Sequence, residues 1–195
     1  MKNLLYFIIS IALGVLASCN QSESQQVEQL PASLDQKSLV ARGEYLVTVM
    51  DCNACHSPKV MGPNGPEPDP EKLLSGYPAD RPLPKVDTES LKSWILFGQD
   101  LTSAAGPWGV SFAANLTSDA TGIGNWSEAQ FFKAIREGKY KGLDGGRMLL
   151  PPMPWPSFAQ LNDEDLRAIF AYLKSTKPVN NVVPAPIPPT ELSSL

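Results

Sequence analysis

The sequence predicts a mostly α-helical domain: about four helices around one core, a long proline-rich loop region, and at most a small β-hairpin. Two observations carry this expectation. Apolar residues recur at helical spacing toward both ends of the central region. Eight prolines between Pro58 and Pro84 remove ladder donors from the stretch between, which argues against a buried strand there. The 195 residues, 43% of them apolar, suffice for one core, while 19 prolines and 14 glycines assign much of the remainder to irregular loop.

Each helix has its own signals. Leu39, Gly43, Leu46, Val47 and Met50 fall at i, i+4, i+7, i+8 and i+11, an amphipathic helix that delivers the chain into Cys52. Leu91, Trp94 and Ile95 form a second, shorter stripe, with Asp87 or Thr88 as cap and Gly98 as stop. Ser127 and Gln130 make a capping box for a third helix, which carries Phe131 and Ile135 and ends at Gly138. In the fourth, Asn162 caps, Asp163 to Asp165 complement the positive end of the helix dipole, and Lys174 and Lys177 complement the other. Its apolar face is Leu166, Ile169, Phe170 and Leu173. Trp108 to Leu116 reads as a short strand or extended wall, paired with Leu73 to Tyr77.

The two ends lie outside this core. Lys2 followed by an apolar run from Leu4 to Val15 and small residues up to Cys19 has the layout of a signal peptide, residues 1–18. The run is shorter than the roughly 20 residues needed to cross a bilayer. Leu16-Ala17-Ser18-Cys19 resembles a bacterial lipobox, which makes Cys19 a lipidation site and the chain an exported protein anchored to a bacterial membrane, facing the periplasm. Residues 19–34, rich in Gln, Ser and Glu, read as a flexible tether, 35–177 as the folded domain, and 178–195, with five prolines, as an extended tail adding no element. The formal net charge of −4 provides no basic excess for nucleic acid.

Chemistry concentrates in "CNACH", Cys52 to His56, which holds the only histidine. A disulfide or thioredoxin-type pair uses both cysteines, but nothing nearby reads as βαβ. A zinc site wants four ligands, and the motif offers three. Neither explains the adjacent histidine. Cys-x-x-Cys-His is the c-type haem attachment motif, in which two thiols form thioethers and the histidine binds iron as its proximal ligand. On a helix these residues, at i, i+3 and i+4, share one face.

With no second histidine, the sixth iron position falls to methionine, to lysine, or to nothing. Met50 precedes the motif by two residues and Met61 follows it by five, so both belong to the proximal side. Met153 lies in "LLPPMPWPSF", where Pro151, Pro152, Pro154 and Pro156 restrict the backbone, as a weak iron–sulfur bond requires. Met153 is therefore the first candidate and Met148 the second; the alternative role for Met153 is core filling.

The stretches "NLTSDATGIGNWSEAQFFKAIREGKYKG" and "PPMPWPSFAQLNDEDLRAIFAYLKS" resemble the C-terminal half of bacterial class I c-type cytochromes, and in particular the modules of the multihaem subunits of membrane-bound alcohol and sugar-acid dehydrogenases. The resemblance implies a cytochrome c fold with one covalent haem c, and Met153 as distal ligand. It further implies that Asn115, Trp126 and Arg147 contact the haem or its propionates, with Trp126 equally readable as a core residue. Gly43 is implied to pack against Phe170 or Tyr172. Those subunits carry several haem motifs, and this chain has one. The function implied is a membrane-tethered electron carrier cycling Fe(II)/Fe(III), not itself an enzyme, exchanging electrons with redox partner proteins. A fixed electron-transfer subunit of a larger dehydrogenase is the alternative, and an open-site haem sensor or enzyme a third reading. Lys133, Arg136, Lys139, Lys141 and Arg147 read first as a solvated face and second as a docking surface for an acidic partner.

Overall fold

Asp35 accepts a hydrogen bond from the Ser38 amide and starts α1, Gln36–Val49, in the computed structural model of the protein. Residues 35–83 and 85–194 are described. The expected signal peptide, Cys19 and tether lie outside the described residues.

α1 crosses the last helix, α5, Asp163–Ser175, and this crossing forms the centre of the core. Leu46 and Val47 on one helix meet Leu166, Ala168, Ile169 and Leu173 on the other, all buried. The close approach depends on Gly43: a Cβ there would stand 1.9 Å from the carbonyl oxygen of Ala168 and 2.7 Å from Tyr172 Cβ. Of the two partners implied for Gly43, Tyr172 is therefore the one observed. Phe170 instead meets Phe131 of α3, with ring centroids 5.2 Å apart.

α3 spans Glu128–Arg136 between α1 and α5 in sequence, and Ser127 caps it by accepting from the Gln130 amide at 3.1 Å. Only half of the expected capping box forms, because the Gln130 side chain donates to the Lys141 carbonyl instead. α4, Trp155–Phe158, is a single turn that local pattern did not announce, and Asn162 caps α5 as expected by accepting from the Asp165 amide.

The second expected helix is not there. Asp87 accepts from the Glu89 amide at 3.1 Å, but only a 3-10 turn, Ser90–Lys92, follows, with Glu89 at its cap position. The chain then enters β3, Leu96–Phe97, because Trp94-Ile95-Leu96-Phe97 has strand-forming side chains and a partner strand to pair with. Pairing across the sheet outweighs a weak local helical stripe.

The expectation of at most one hairpin is also corrected, since the described residues hold two small antiparallel sheets. β1, Lys59–Gly62, and β2, Gly65–Pro68, form an exposed hairpin, so the proline-rich stretch contains strands but no buried one. β3, β4 (Ser103–Gly106) and β5 (Gly109–Phe112) form the second sheet in that order. β5 thus pairs with β4 and not with Leu73 to Tyr77. The latter lie beside the residues just after β5, where the amides of Leu116 and Tyr77 donate to the carbonyls of Leu74 and Ala113.

The tail departs from expectation too. It runs extended as far as Ile187, whose backbone exchanges hydrogen bonds of 2.8 and 2.9 Å with Val110 of β5, and it closes in a 3-10 helix, Pro189–Ser194. No helix among the described residues is long and apolar enough to cross a membrane.

The turn between β3 and β4 is organised by Asp100, which is 7% exposed, ion-pairs with Arg81 and accepts from the amide and hydroxyl of Thr102. Burial alone would raise its carboxyl pKa, but the hydrogen bonds from Arg81 and Thr102 and the Arg81 charge outweigh it and hold the pKa below the usual carboxylate range. A depressed folded pKa contributes stability that is present above the unfolded pKa of about 4 and is lost as pH falls through the folded value. Asp100→Asn should therefore cost roughly 1–3 kcal/mol at neutral pH. The gap between the thermal melts of native and variant protein should narrow as pH falls below about 4 and close only below the depressed folded pKa; an equal gap at neutral and at strongly acidic pH would refute the assignment.

Candidate haem-attachment site

Between α1 and the motif the chain turns through Asp51, at a left-handed φ of 54°, before the five-residue helix α2, Cys52–His56. The motif therefore does not continue the first helix, as its periodicity suggested, but starts a fresh turn. Helical geometry within α2 still sets Cys52, Cys55 and His56 on one face. All three line a cavity of about 680 Å³.

Cys52 and Cys55 are half-buried and form no disulfide with each other. Burial, with the Asp51 charge adding to it, pushes the Cys52 thiol up to about 11, and burial raises Cys55 as well. A raised thiol pKa disfavours the thiolate through which a disulfide would form. His56 is held by a 2.8 Å hydrogen bond between Nδ1 and the Ala114 carbonyl. A carbonyl only accepts, so Nδ1 carries the proton and Nε2 presents its lone pair. Burial lowers the His56 pKa, against the raising effect of the Ala114 bond, and keeps the ring in the neutral form that binds metal.

The end of α2 is fastened from two sides. Ser57, fully buried, donates to Asn53 Oδ1 at 2.6 Å and accepts from the Leu74 amide at 2.8 Å. Lys59 Nζ donates to the carbonyls of Asn53, Ala54 and Ser57 at 3.1, 2.9 and 2.6 Å, a cation at the negative end of the helix.

Met153 lies just before α4 and lines the same cavity. Met148 does not line it; it is 42% exposed and its backbone bridges to Lys139. Met61 is 79% exposed. Met50 also faces the cavity, but Asp51 alone separates it from Cys52, which keeps it on the attachment side.

Asn115, Trp126 and Arg147 all line the cavity, each with other work as well. The buried Asn115 amide donates to Thr121 Oγ1 and to the tail carbonyl of Val179, with that of Asn181 3.3 Å away, while its oxygen accepts from Thr117. Trp126 packs against the core cluster, as its core reading has it, and it also lines the cavity. Arg147 stacks its guanidinium 3.7 Å from the Tyr140 ring centre and donates to the Met148 carbonyl. Within the basic cluster, Lys133 pairs with Asp144, and Arg136 with Asp163, which favours the solvated-face reading there.

Sequence reasoning missed part of the lining: Leu101, Ser111 of β5, and Val182, Val183, Pro184 and Pro186 of the tail. Nothing local signals them. Asn181 clips the tail into place by donating to the carbonyls of Ser75 and Tyr77 at 2.7 and 2.9 Å, contacts that span more than a hundred residues of sequence.

These residues fit a covalently held haem. Two cysteine side chains and an oriented imidazole stand on one face of α2, and the cavity they border has the size of a cofactor site with largely apolar walls such as Ile123, Phe131 and Leu166.

Comparison with known proteins agrees. The cytochrome c family matches residues 40–177. The gluconate 2-dehydrogenase cytochrome c subunit of Pantoea cypripedii is 32% identical over 166 residues, covering 85% of this chain and 27% of that protein. The fructose dehydrogenase cytochrome subunit of Gluconobacter japonicus is 32% identical over 171 residues, 87% of this chain and 27% of that protein. The cytochrome c subunit of the quinone alcohol dehydrogenase of Gluconobacter oxydans is 30% identical over 174 residues, 88% of this chain and 27% of that protein. The chain thus spans about a quarter of the length of these relatives. Its motif, its helix crossing and these matches together make it a member of the cytochrome c family, whose proteins carry covalently bound haem c.

Proposed function

We propose that this chain is an electron carrier with one haem c, held by Cys52 and Cys55 and ligated by His56 and Met153. The observation that supports it is a single apolar cavity bordered by all four side chains. Haem c, when bound, supplies an iron that accepts and releases one electron. The chain's residues do the rest. The Ala114 carbonyl fixes the His56 tautomer, the Asn115 amide holds the tail that forms one wall, and the apolar lining excludes water. Arg147 and Lys141, both against the Tyr140 ring and both bordering the cavity, place positive charge where carboxylates would be received. A thioether ligand favours the ferrous form and raises the potential. Electron transfer then needs only a small encounter interface, under about 1,200 Å².

In this reading Cys19 is lipidated, residues 20–34 are the tether, and the domain works at a membrane surface facing the periplasm. The names of the relatives support a place beside a dehydrogenase, either as a diffusing acceptor or as its cytochrome subunit. The test is carbon monoxide binding by the ferrous native protein. A six-coordinate carrier should show negligible binding at concentrations that saturate an open haem, and should cycle reversibly between ferrous and ferric forms. Ready binding would sink the carrier reading in favour of an open-site sensor or enzyme.

A further inference from the structure

The loop that carries Met153 has lost most of its own means of attachment. Pro151, Pro152, Pro154 and Pro156 have no N–H, so the loop has few main-chain donors with which to fasten itself. Met153 makes the one main-chain bond near its centre, a long one of 3.4 Å to Leu150. Two residues before Met153, the Pro151 carbonyl accepts a hydrogen bond of 2.6 Å from the hydroxyl of Ser111.

Ser111 is well placed to act as a fixed post. It is 8% exposed, it sits in β5, and its oxygen accepts from the Trp108 indole N–H at 3.2 Å. Its hydroxyl also lies 3.3 Å from the Ala104 carbonyl of β4, but a hydroxyl has one proton, and the shorter contact to Pro151 takes it. The Trp108 ring is itself packed against Gly106, where a Cβ would come within 2.5 Å of it. A relay therefore runs from the β4–β5 hairpin through Trp108 and Ser111 to the carbonyl of Pro151. Ser111, Pro151, Pro152 and Met153 all border the haem-attachment cavity.

We infer that Ser111 is a positioning residue that holds the Met153 loop at the distal side of the cavity, so that the small sheet governs how readily the sixth ligand leaves. This rests on the reading of Met153 as distal ligand. Ser111 touches neither iron nor partner; it acts through Pro151. A buried hydroxyl–carbonyl bond of this kind shifts an equilibrium by about threefold to tenfold.

The test titrates the ferric holoprotein with imidazole, which binds only when the sixth position is vacated, and reads the sulfur-to-iron charge-transfer band alongside. Ser111→Ala should keep the band and bind imidazole about threefold to tenfold more tightly than native protein. Met153→Ala should lose the band and bind far more tightly still. Trp108→Phe, which keeps the Ser111 hydroxyl but removes the indole donor, should shift affinity in the same direction by less, and decides the matter if Ser111→Ala does not accumulate. Native affinity in Ser111→Ala or, failing that variant, in Trp108→Phe, with Met153→Ala behaving as expected, overturns the positioning role even if the melting temperature falls. Native affinity and an intact band in Met153→Ala overturn the ligand reading and the positioning role with it.

Discussion

Replacing Met153 by alanine is expected to turn the proposed electron carrier into a ligand-binding haem protein. The ferric variant should lose the sulfur-to-iron charge-transfer band, and its reduction potential should fall, because a thioether stabilises the ferrous state. The size of the gain in ligand binding follows from occupancy. If the thioether holds the sixth position about 99% of the time, an external ligand competes for the remaining fraction, and opening the site raises its apparent affinity about a hundredfold. Carbon monoxide titration of the ferrous variant measures this directly. The cavity side chains around Met153 remain in place, so attachment at Cys52 and Cys55 should be unaffected. Persistence of the band would exclude Met153, and Met148→Ala would be the next variant; Met148 is exposed at 42% and would have to turn inward to serve.

Gly43→Ala should produce a large loss of stability for a single added methyl, because it strikes the centre of the core. The added Cβ would stand 1.9 Å from the Ala168 carbonyl oxygen and 2.6 Å from its carbon, so the obstacle is helix backbone and no rotamer change relieves it. α1 and α5 would have to separate, which loosens Leu46, Val47, Leu166, Ile169 and Leu173 together. Overpacking ordinarily costs about 1–3 kcal/mol, and here the upper end or beyond is expected because five core residues share the strain. For a chain of this size about 3 kcal/mol corresponds to a melting temperature lower by roughly 6–12 °C. Alanine is the better helix former, so local propensity would predict the opposite sign. A variant that melts with or above the native protein would show that the crossing tolerates separation.

The elements that were legible in the sequence are those whose signals are local. α5 carries its cap, its acidic first turn and its apolar stripe within sixteen residues, and each feature is present in the structure. The attachment motif is legible for the same reason, since its spacing needs only one helical turn. The stripe of Leu91, Trp94 and Ile95 misled because its competitor was not local: Leu96 and Phe97 pair with Ala105 and Ala104, and that pairing redirects the segment into a strand. The tail misled in the same way. Its prolines do keep it extended, but Asn115, Thr121 and Asn181 bind it into the cavity wall through contacts about sixty to a hundred residues apart in sequence.

By itself the sequence determined the attachment chemistry, two thiols and one imidazole at helical spacing with no second histidine, and it singled out the methionine of a proline-stiffened loop as the ligand we propose. Tertiary structure decided what surrounds that chemistry. Which carbonyl orients His56, which hydroxyl holds the Met153 loop, and which stretch of tail closes the cavity depend on groups brought together by the α1–α5 crossing and the β3–β4–β5 sheet. Ligand identity is a property of side-chain type and short-range spacing, while ligand support comes from main-chain polar groups that every residue possesses and that only the fold selects.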